Sequence, residues 1–250
     1  MALILIDPLD DCDTVVDTML STAYNEEFCI ALDWEPEFVS RLMKAGFLIM
    51  SETMYVKDGD DGSEFQRDIM LPKLHLIRSA LFFDKLHIKK SIKKFLSRYE
   101  LCFDTDFDTI VHKCLKIHGD GWLTPSLIKT LFFIRKNRPN TDFYSVHTKP
   151  KLAAVSSPLP VSFSLYRNGE LKAGEFGVIS GSVYTSYSGY TEENNAGTVQ
   201  MILMAHALEK AGFAFLDFGM PLDYKRDLGS LDISPKEFTG IFRLAQRKAV

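Results

Sequence analysis

Three observations predict an α+β fold in two parts. Residues 161–190 alternate as three strands joined by tight turns, residues 198–210 carry the pattern of one long helix, and residues 213–217 return as a further strand. Ahead of about residue 75, short helices and strands are mixed. We therefore expect a small acidic N-terminal α/β domain over 1–75. A larger domain over 76–250 follows, with a mostly antiparallel central sheet flanked by helices. With 46% hydrophobic residues and only 15 Gly and 10 Pro, the chain is neither disordered nor collagen-like.

The elements follow in order. Met1–Ile6 reads as a short buried strand, too brief and too closely followed by Asp7, Asp10, Asp11 and Asp13 to be a secretory signal. Phe38, Val39, Leu42 and Met43 lie at helical spacing over 36–45, with Gly46 placed as a C-cap. Phe47–Met50 is a buried run. Asp58–Ser63 is a loop whose spacing lacks the alternating ligands of a calcium-binding EF-hand. The four cysteines, Cys12, Cys29, Cys102 and Cys114, form no C-x-x-C pair, so neither a zinc site nor a disulfide framework is expected. No run of about 18 apolar residues suggests a membrane span, and a cytoplasmic protein is expected.

Residues 82–98 predict a basic helix. Leu86, Ile88, Ile92, Phe95 and Leu96 make its apolar stripe, with Asp84 as first-turn acid. Lys85, Lys89, Lys90, Lys93, Lys94 and Arg98 hold the other positions without one intervening acid. A merely solvated face would mix both signs to gain i,i+4 pairs, so this one suits a phosphate backbone, with a plain surface helix as the alternative. Further helices are expected over 106–117 and, after Thr124 and Pro125, over 126–135. Residues 137–141 and 156–160 read as loops. Strands at 161–166 and 171–179 flank the Asn168-Gly169 turn, a strong hairpin signal. A third strand covers 182–190, and residues 192–197 open the long helix.

Charge divides along the chain. Residues 1–70 hold 16 acids against 4 bases, and residues 71–250 hold 17 against 25, so the net −4 hides a balance of −12 and +8. The acidic part reads as a solvated surface or as an attractor for a cationic protein terminus.

A three-strand meander, a helix and a strand returning beside it resembles the central plan of the GNAT acyltransferases. Their acyl-CoA turn is Gly-rich, whereas Glu192-Glu193-Asn194-Asn195-Ala196-Gly197 carries two acids and would repel a diphosphate. More specifically, Leu86-His87-Ile88, Ser91 and Phe95, then Trp122-Leu123-Thr124, Asn195-Ala196, Leu216-Asp217 and Leu228-Gly229 resemble elements of the leucyl/phenylalanyl-tRNA–protein transferases. The match is patchy but collinear. That resemblance implies a GNAT-like second domain and an enzyme that moves an amino acid from charged tRNA to a protein beginning with Arg or Lys. The donor is an activated ester, so no cofactor or metal is implied; a monomer is expected.

On this reading Asp217 is the candidate catalytic residue, orienting or deprotonating the amine. Trp122 packs the terminal adenine, and Tyr184, Tyr187, Met201 and Met204 line the acyl pocket. Lys85, Lys89, Lys90, Lys93, Lys94 and Arg98 hold the tRNA phosphates. Plainer readings stand beside these. Trp122 is a core anchor, Asp217 a turn cap, the methionines core, the tyrosines cross-strand contacts and His87 a packed residue. The chain also departs from the family's pattern. Leu48-Ile49-Met50-Ser51 stands where the family has Phe-Pro-Trp-Phe, and His75-Leu76-Ile77-Arg78 replaces Trp-Ser-Pro-x-x-Arg. Ser186-Tyr187-Ser188-Gly189-Tyr190 replaces a segment with a pocket glutamate, and Asp217-Phe218-Gly219 lacks the glutamine of an Asp-x-Gln pair. The rival readings are a catalytically silent relative that binds tRNA or peptide, and a GNAT enzyme with another acyl donor.

Overall fold

The computed structural model describes residues 3–21, 24–57, 64–137 and 151–247. The first part is built from β1 (Leu5–Ile6), α1 (Cys12–Ser21), β2 (Ile30–Ala31), α2 (Pro36–Ala45), β3 (Leu48–Lys57) and β4 (Glu64–Lys73). Its four strands run in the order β1-β2-β4-β3, with β1 parallel to β2 and the other pairs antiparallel. The predicted α2 is present, and Gly46 ends it at φ +105° as a C-cap glycine should. The acidic run before α1 serves in part as local helix capping: Asp11 Oδ2 accepts from the Thr14 amide at 3.0 Å and caps that helix. The Asp58–Ser63 loop lies outside the described residues, as do residues 138–150, which include most of the loop expected at 137–141.

The second part opens with β5 (Arg78–Leu81), a 3-10 turn (Phe83–Lys85), α3 (Lys90–Leu96) and β6 (Glu100–Phe103). Helices α4 (Phe107–His118) and α5 (Pro125–Lys136) follow. Then come β7 (Val155–Arg167), β8 (Glu170–Gly181), β9 (Val183–Thr191), α6 (Ala196–Lys210) and β10 (Phe215–Gly219). The chain closes with α7 (Asp223–Asp227), β11 (Leu231–Ile233) and α8 (Pro235–Arg247). Its sheet runs β11-β5-β10-β9-β8-β7-β6. The α+β class and the expected plan are both present: β7, β8 and β9 form the antiparallel meander, α6 crosses back, and β10 lies parallel to β9. The β7–β8 turn has Asn168 at φ +54° and Gly169 at φ +78°, the left-handed pair a type I′ hairpin requires.

Two expectations need correction. The basic stretch is not one helix from 82 to 98. The His87 amide donates to Leu228 O at 2.9 Å, which holds the chain extended between the 3-10 turn and α3. Gly229 makes room for this, because a Cβ there would lie 2.0 Å from Lys85 O. Likewise Ser156–Pro160 is not a loop but the first part of β7. Among the described residues, only Glu100–Phe103 pairs with the outer side of β7, at residues 163–166, so Pro158 and Pro160 need no ladder donor there.

The two sheets share an apolar core. Val16, Phe38, Leu42 and Ile49 of the first part pack in one cluster with Ile110, Leu127 and Phe176 of the second. Opposite it, α6 seals the other face of the meander through Val199, Ile202, Met204 and Leu208. Among the described residues, no helix is long and apolar enough to cross a membrane. One feature of the sheet places the site. Strands β9 and β10 pair only from Val183↔Phe215 to Thr185↔Asp217, after which β9 runs on to Thr191 while β10 stops at Gly219.

Candidate active site

Where β9 and β10 part, a cavity of about 780 Å³ opens. Strand β8 supplies Gly174 and Glu175, β9 supplies Ser186 to Thr191, and the start of α6 supplies Asn195, Gly197, Thr198 and Met201. Leu48 and Met50 of β3 close one side, with Trp122, His75 and the α7 residues Tyr224 and Lys225 around them. Trp122 is held from below: its carbonyl accepts from Ser51 Oγ at 2.7 Å and from the Ser51 amide at 3.2 Å. Tyr187 is held through its hydroxyl, which accepts from the Ile49 amide at 3.2 Å and so ties β9 to β3.

Three sequence-predicted residues meet here: Trp122, Tyr187 and Met201, each half-buried, line the cavity. Tyr184 and Met204 do not. Both are fully buried in the core beneath α6, and the Tyr184 ring stands edge-on to Phe163 at 5.2 Å. The alternation of β9 points Tyr184 into that core, a direction that composition alone does not reveal.

Asp217 requires a larger correction. It is 0% exposed, and its two oxygens take a bidentate pair from Arg78: Nε to Oδ1 at 2.8 Å and Nη2 to Oδ2 at 2.6 Å. Thr185 Oγ1 donates to Oδ2 and the Gly219 amide to Oδ1, each at 2.9 Å. Four donors therefore fill the carboxylate, which braces β5, β9 and the end of β10 instead of reaching into the cavity. The Arg78 plane also lies 4.3 Å from the Phe238 ring centroid. The partner was hidden in sequence because Arg78 precedes Asp217 by 139 residues.

The six expected phosphate-binding cations are all exposed and none lines the cavity. Lys89 pairs with Asp227 at 2.5 Å and Lys85 with Asp84 at 3.2 Å. Lys94 and Arg98 lie over Phe95, at 5.3 and 5.0 Å from its ring centroid. Lys90 and Lys93 project from α3. The acids of the 192–197 turn are tied up as well: Glu192 pairs with Lys113, and Glu193 accepts from the Tyr99 hydroxyl and pairs with Arg167. Among the described residues no group of three or more His, Cys, Asp or Glu side chains could hold a metal ion.

The sequence reading missed Glu175. It is only 7% exposed, it lines the cavity, and its Oε1 has no hydrogen-bond partner. Burial pushes its carboxyl up to about 7, against the pull of the Ser186 hydroxyl and the Lys225 ammonium. Burial likewise lowers Lys225, whose Nζ donates to Phe218 O at 2.7 Å and Met220 O at 2.9 Å. Nearby His75 is pushed down to about 2 by burial and by Arg78, Lys73 and Lys225, so its imidazole is neutral. A signal for Glu175 did exist: it interrupts Ala173–Ile179, a strand buried on both faces, where an unpaired acid is out of place. Such a site can hold a cationic or proton-bearing group on one acid while apolar walls take a side chain.

The comparisons with known proteins agree with the resemblance read from the residues. Residues 150–243 match the model of the family described as leucyl/phenylalanyl-tRNA protein transferase. The chain is 28% identical over 166 residues to the leucyl/phenylalanyl-tRNA–protein transferase of Pseudomonas putida strain W619, covering 64% of this chain and 65% of that protein. To the transferase of that name from Pseudomonas fluorescens SBW25 it is 28% identical over 171 residues, covering 66% and 67%. To that of Campylobacter jejuni RM1221 it is 27% identical over 166 residues, again covering 66% and 67%. The match thus spans just under two thirds of the P. putida relative's length. Among solved structures, a GCN5-related N-acetyltransferase from Kribbella flavida is similar at a TM-score of 0.36 and 11% identity, over 92% of this chain and 75% of that one. The C-terminal domain of a putative lysylphosphatidylglycerol synthetase from Agrobacterium fabrum is similar at 0.38 and 12% identity, over 88% and 62%. At such distances neither structure places a residue of the site.

Proposed function

We propose that the chain is an aminoacyltransferase that moves an amino acid from the 3′ end of a charged tRNA to the N-terminal amine of a protein beginning with a basic residue. The observation that carries this reading is the cavity between the parting strands, which sets Trp122, Tyr187 and Met201 around one buried carboxyl that keeps an unpartnered oxygen. The aminoacyl side chain packs on those walls and the terminal adenine lies against Trp122. The amine nitrogen attacks the ester carbonyl carbon; the C–N bond forms as the C–O bond to the ribose breaks. Positioning of two reactants does most of what such an activated donor needs. Lys90 and Lys93 on α3, with Lys85, Lys89, Lys94 and Arg98 beside them, hold the acceptor-stem phosphates without reading sequence. Asp217 enters as the brace of the cavity's edge. Residues 1–75 form an N-terminal domain whose β3 walls the cavity and whose acids draw a cationic acceptor. The enzyme works as a monomer in the cytoplasm, where its donor is found.

The test is transfer of radiolabelled amino acid from each charged tRNA to a peptide beginning with arginine. Label should appear in the peptide for at least one apolar amino acid. Binding of tRNA without transfer of any of the twenty would identify a silent relative and overturn the enzyme reading. Stabilisation by an acyl-CoA in place of tRNA would favour a different donor.

A further inference from the structure

Glu175 sits on the face of β8 that α6 covers, with Ala173, and directly across from it in the register of β9 is Gly189. The Ser186 and Tyr184 hydroxyls of β9 lie against the carboxyl, yet Oε1, itself buried, has no hydrogen-bond partner, and the residue lines the cavity. A buried polar group left without a partner is costly, and native structures seldom carry one without a use. Of its two rivals in the neighbourhood, Asp217 has its oxygens filled by four donors, and burial makes His75 a weak base.

We propose that Glu175 is the residue that receives the acceptor amine and takes its proton, and so the catalytic carboxylate of this site. This rests on the aminoacyl-transfer reading. The amine arrives as an ammonium; Glu175 removes one proton and leaves a lone pair that attacks the ester carbonyl carbon. As the C–N bond forms and the C–O bond breaks, the acid so formed gives its proton to the departing ribose oxygen. The nitrogen's remaining surplus proton then passes to the Glu175 carboxylate and on to water. The charged and titratable groups around Glu175 are Lys225 and Tyr224 of α7, Tyr184 of β9 and Cys114 of α4. Of these Lys225 is the cationic partner, and it favours the carboxylate. A peptide amine titrates at about 7.7–8.0, close to the value of about 7 to which burial brings Glu175, so the proton moves between nearly matched groups.

Glu175→Gln tests this with two readouts. In the transfer assay kcat should fall by about 10²–10⁴-fold, with the KM for charged tRNA unchanged. The rise of wild-type rate through neutral pH should vanish, while Glu175→Asp retains that rise at a lower rate. In calorimetry, wild type should bind an arginine-starting peptide with a free amine about tenfold more tightly than the same peptide N-acetylated, and Glu175→Gln should lose the preference. A Glu175→Gln enzyme with wild-type rate and pH profile, or an unchanged preference for the free amine, overturns the proposal. If wild type transfers nothing, the aminoacyl reading falls; the peptide preference still decides whether Glu175 is an amine site.

Discussion

Asp217 on β10 and Glu175 on β8 are buried acids of one sheet, separated only by β9. They differ in what touches them. Asp217 is met by the fork of Arg78, a hydroxyl and a backbone amide, so its charge is compensated and its geometry fixed. Glu175 keeps one oxygen without a partner beside the Ser186 and Tyr184 hydroxyls, near a lysine that is itself bonded to carbonyls, at the wall of the cavity. Burial is common to both and identifies neither. Partnership separates the brace from the site, and the acid that the motif marked is the brace.

The sharpest way to break this comparison is Asp217→Asn. Leaving Arg78 buried without its counter-charge should cost about 3–5 kcal/mol, read as a lowered denaturation midpoint with an unchanged denaturant slope. A loss below about 1 kcal/mol, typical of exposed pairs, would mean that Asp217 does not brace the sheet.

The pH dependence of stability sharpens the other half. The Glu175 carboxyl is raised from 4.5 to about 7 by folding, so between these values the native chain binds a proton that the unfolded chain has lost. Its contribution to stability is therefore present at low pH and falls as pH rises through that window, by on the order of 3 kcal/mol. Glu175→Gln should abolish that fall, so denaturant titrations of both proteins from acid to neutral pH should diverge. Parallel curves would place the carboxyl in water.

A third change leaves both acids alone. Reversing Lys89, Lys90, Lys93 and Lys94 together should weaken tRNA binding and lower the salt slope by about 1 per lysine, with thermal stability nearly unaltered. An unchanged slope in filter binding would remove tRNA from this surface. The smallest effect is expected for Tyr187→Phe, which strips the Ile49 amide of its acceptor and should cost about 1 kcal/mol. A neutral result by thermal denaturation would show that water replaces the phenol.

Much of the second sheet was legible because local chemistry and tertiary demand agree there. Asn168-Gly169 can supply the two left-handed residues its turn needs, and the flanking alternation fixes the strands. Helix α2 announced itself through the spacing of Phe38, Val39, Leu42 and Met43 and through Gly46. What stayed hidden depends on distant partners. Strand β5 has four residues and takes its pairing from β10 and β11, which follow it by more than a hundred residues. The 82–98 stripe has helical spacing, yet a backbone bond from His87 to Leu228 O overrides it. Within the site, Trp122, Tyr187 and Met201 were reached through the family resemblance, whereas Glu175 owes its character to α6 and α7 folding over it. Its place within the apolar run Ala173–Ile179 was the one local sign of it.

Leu48 and Met50 belong to the first sheet, yet they wall a cavity whose buried acid, Glu175, stands on the second. Selectivity and reactivity are thereby lodged in separate pieces of backbone. A bulkier or smaller residue on β3 resizes the space for a guest without disturbing the register of β8, β9 and β10. Lineages built on this plan can change what they admit by drift in one sheet while the chemistry is inherited intact in the other.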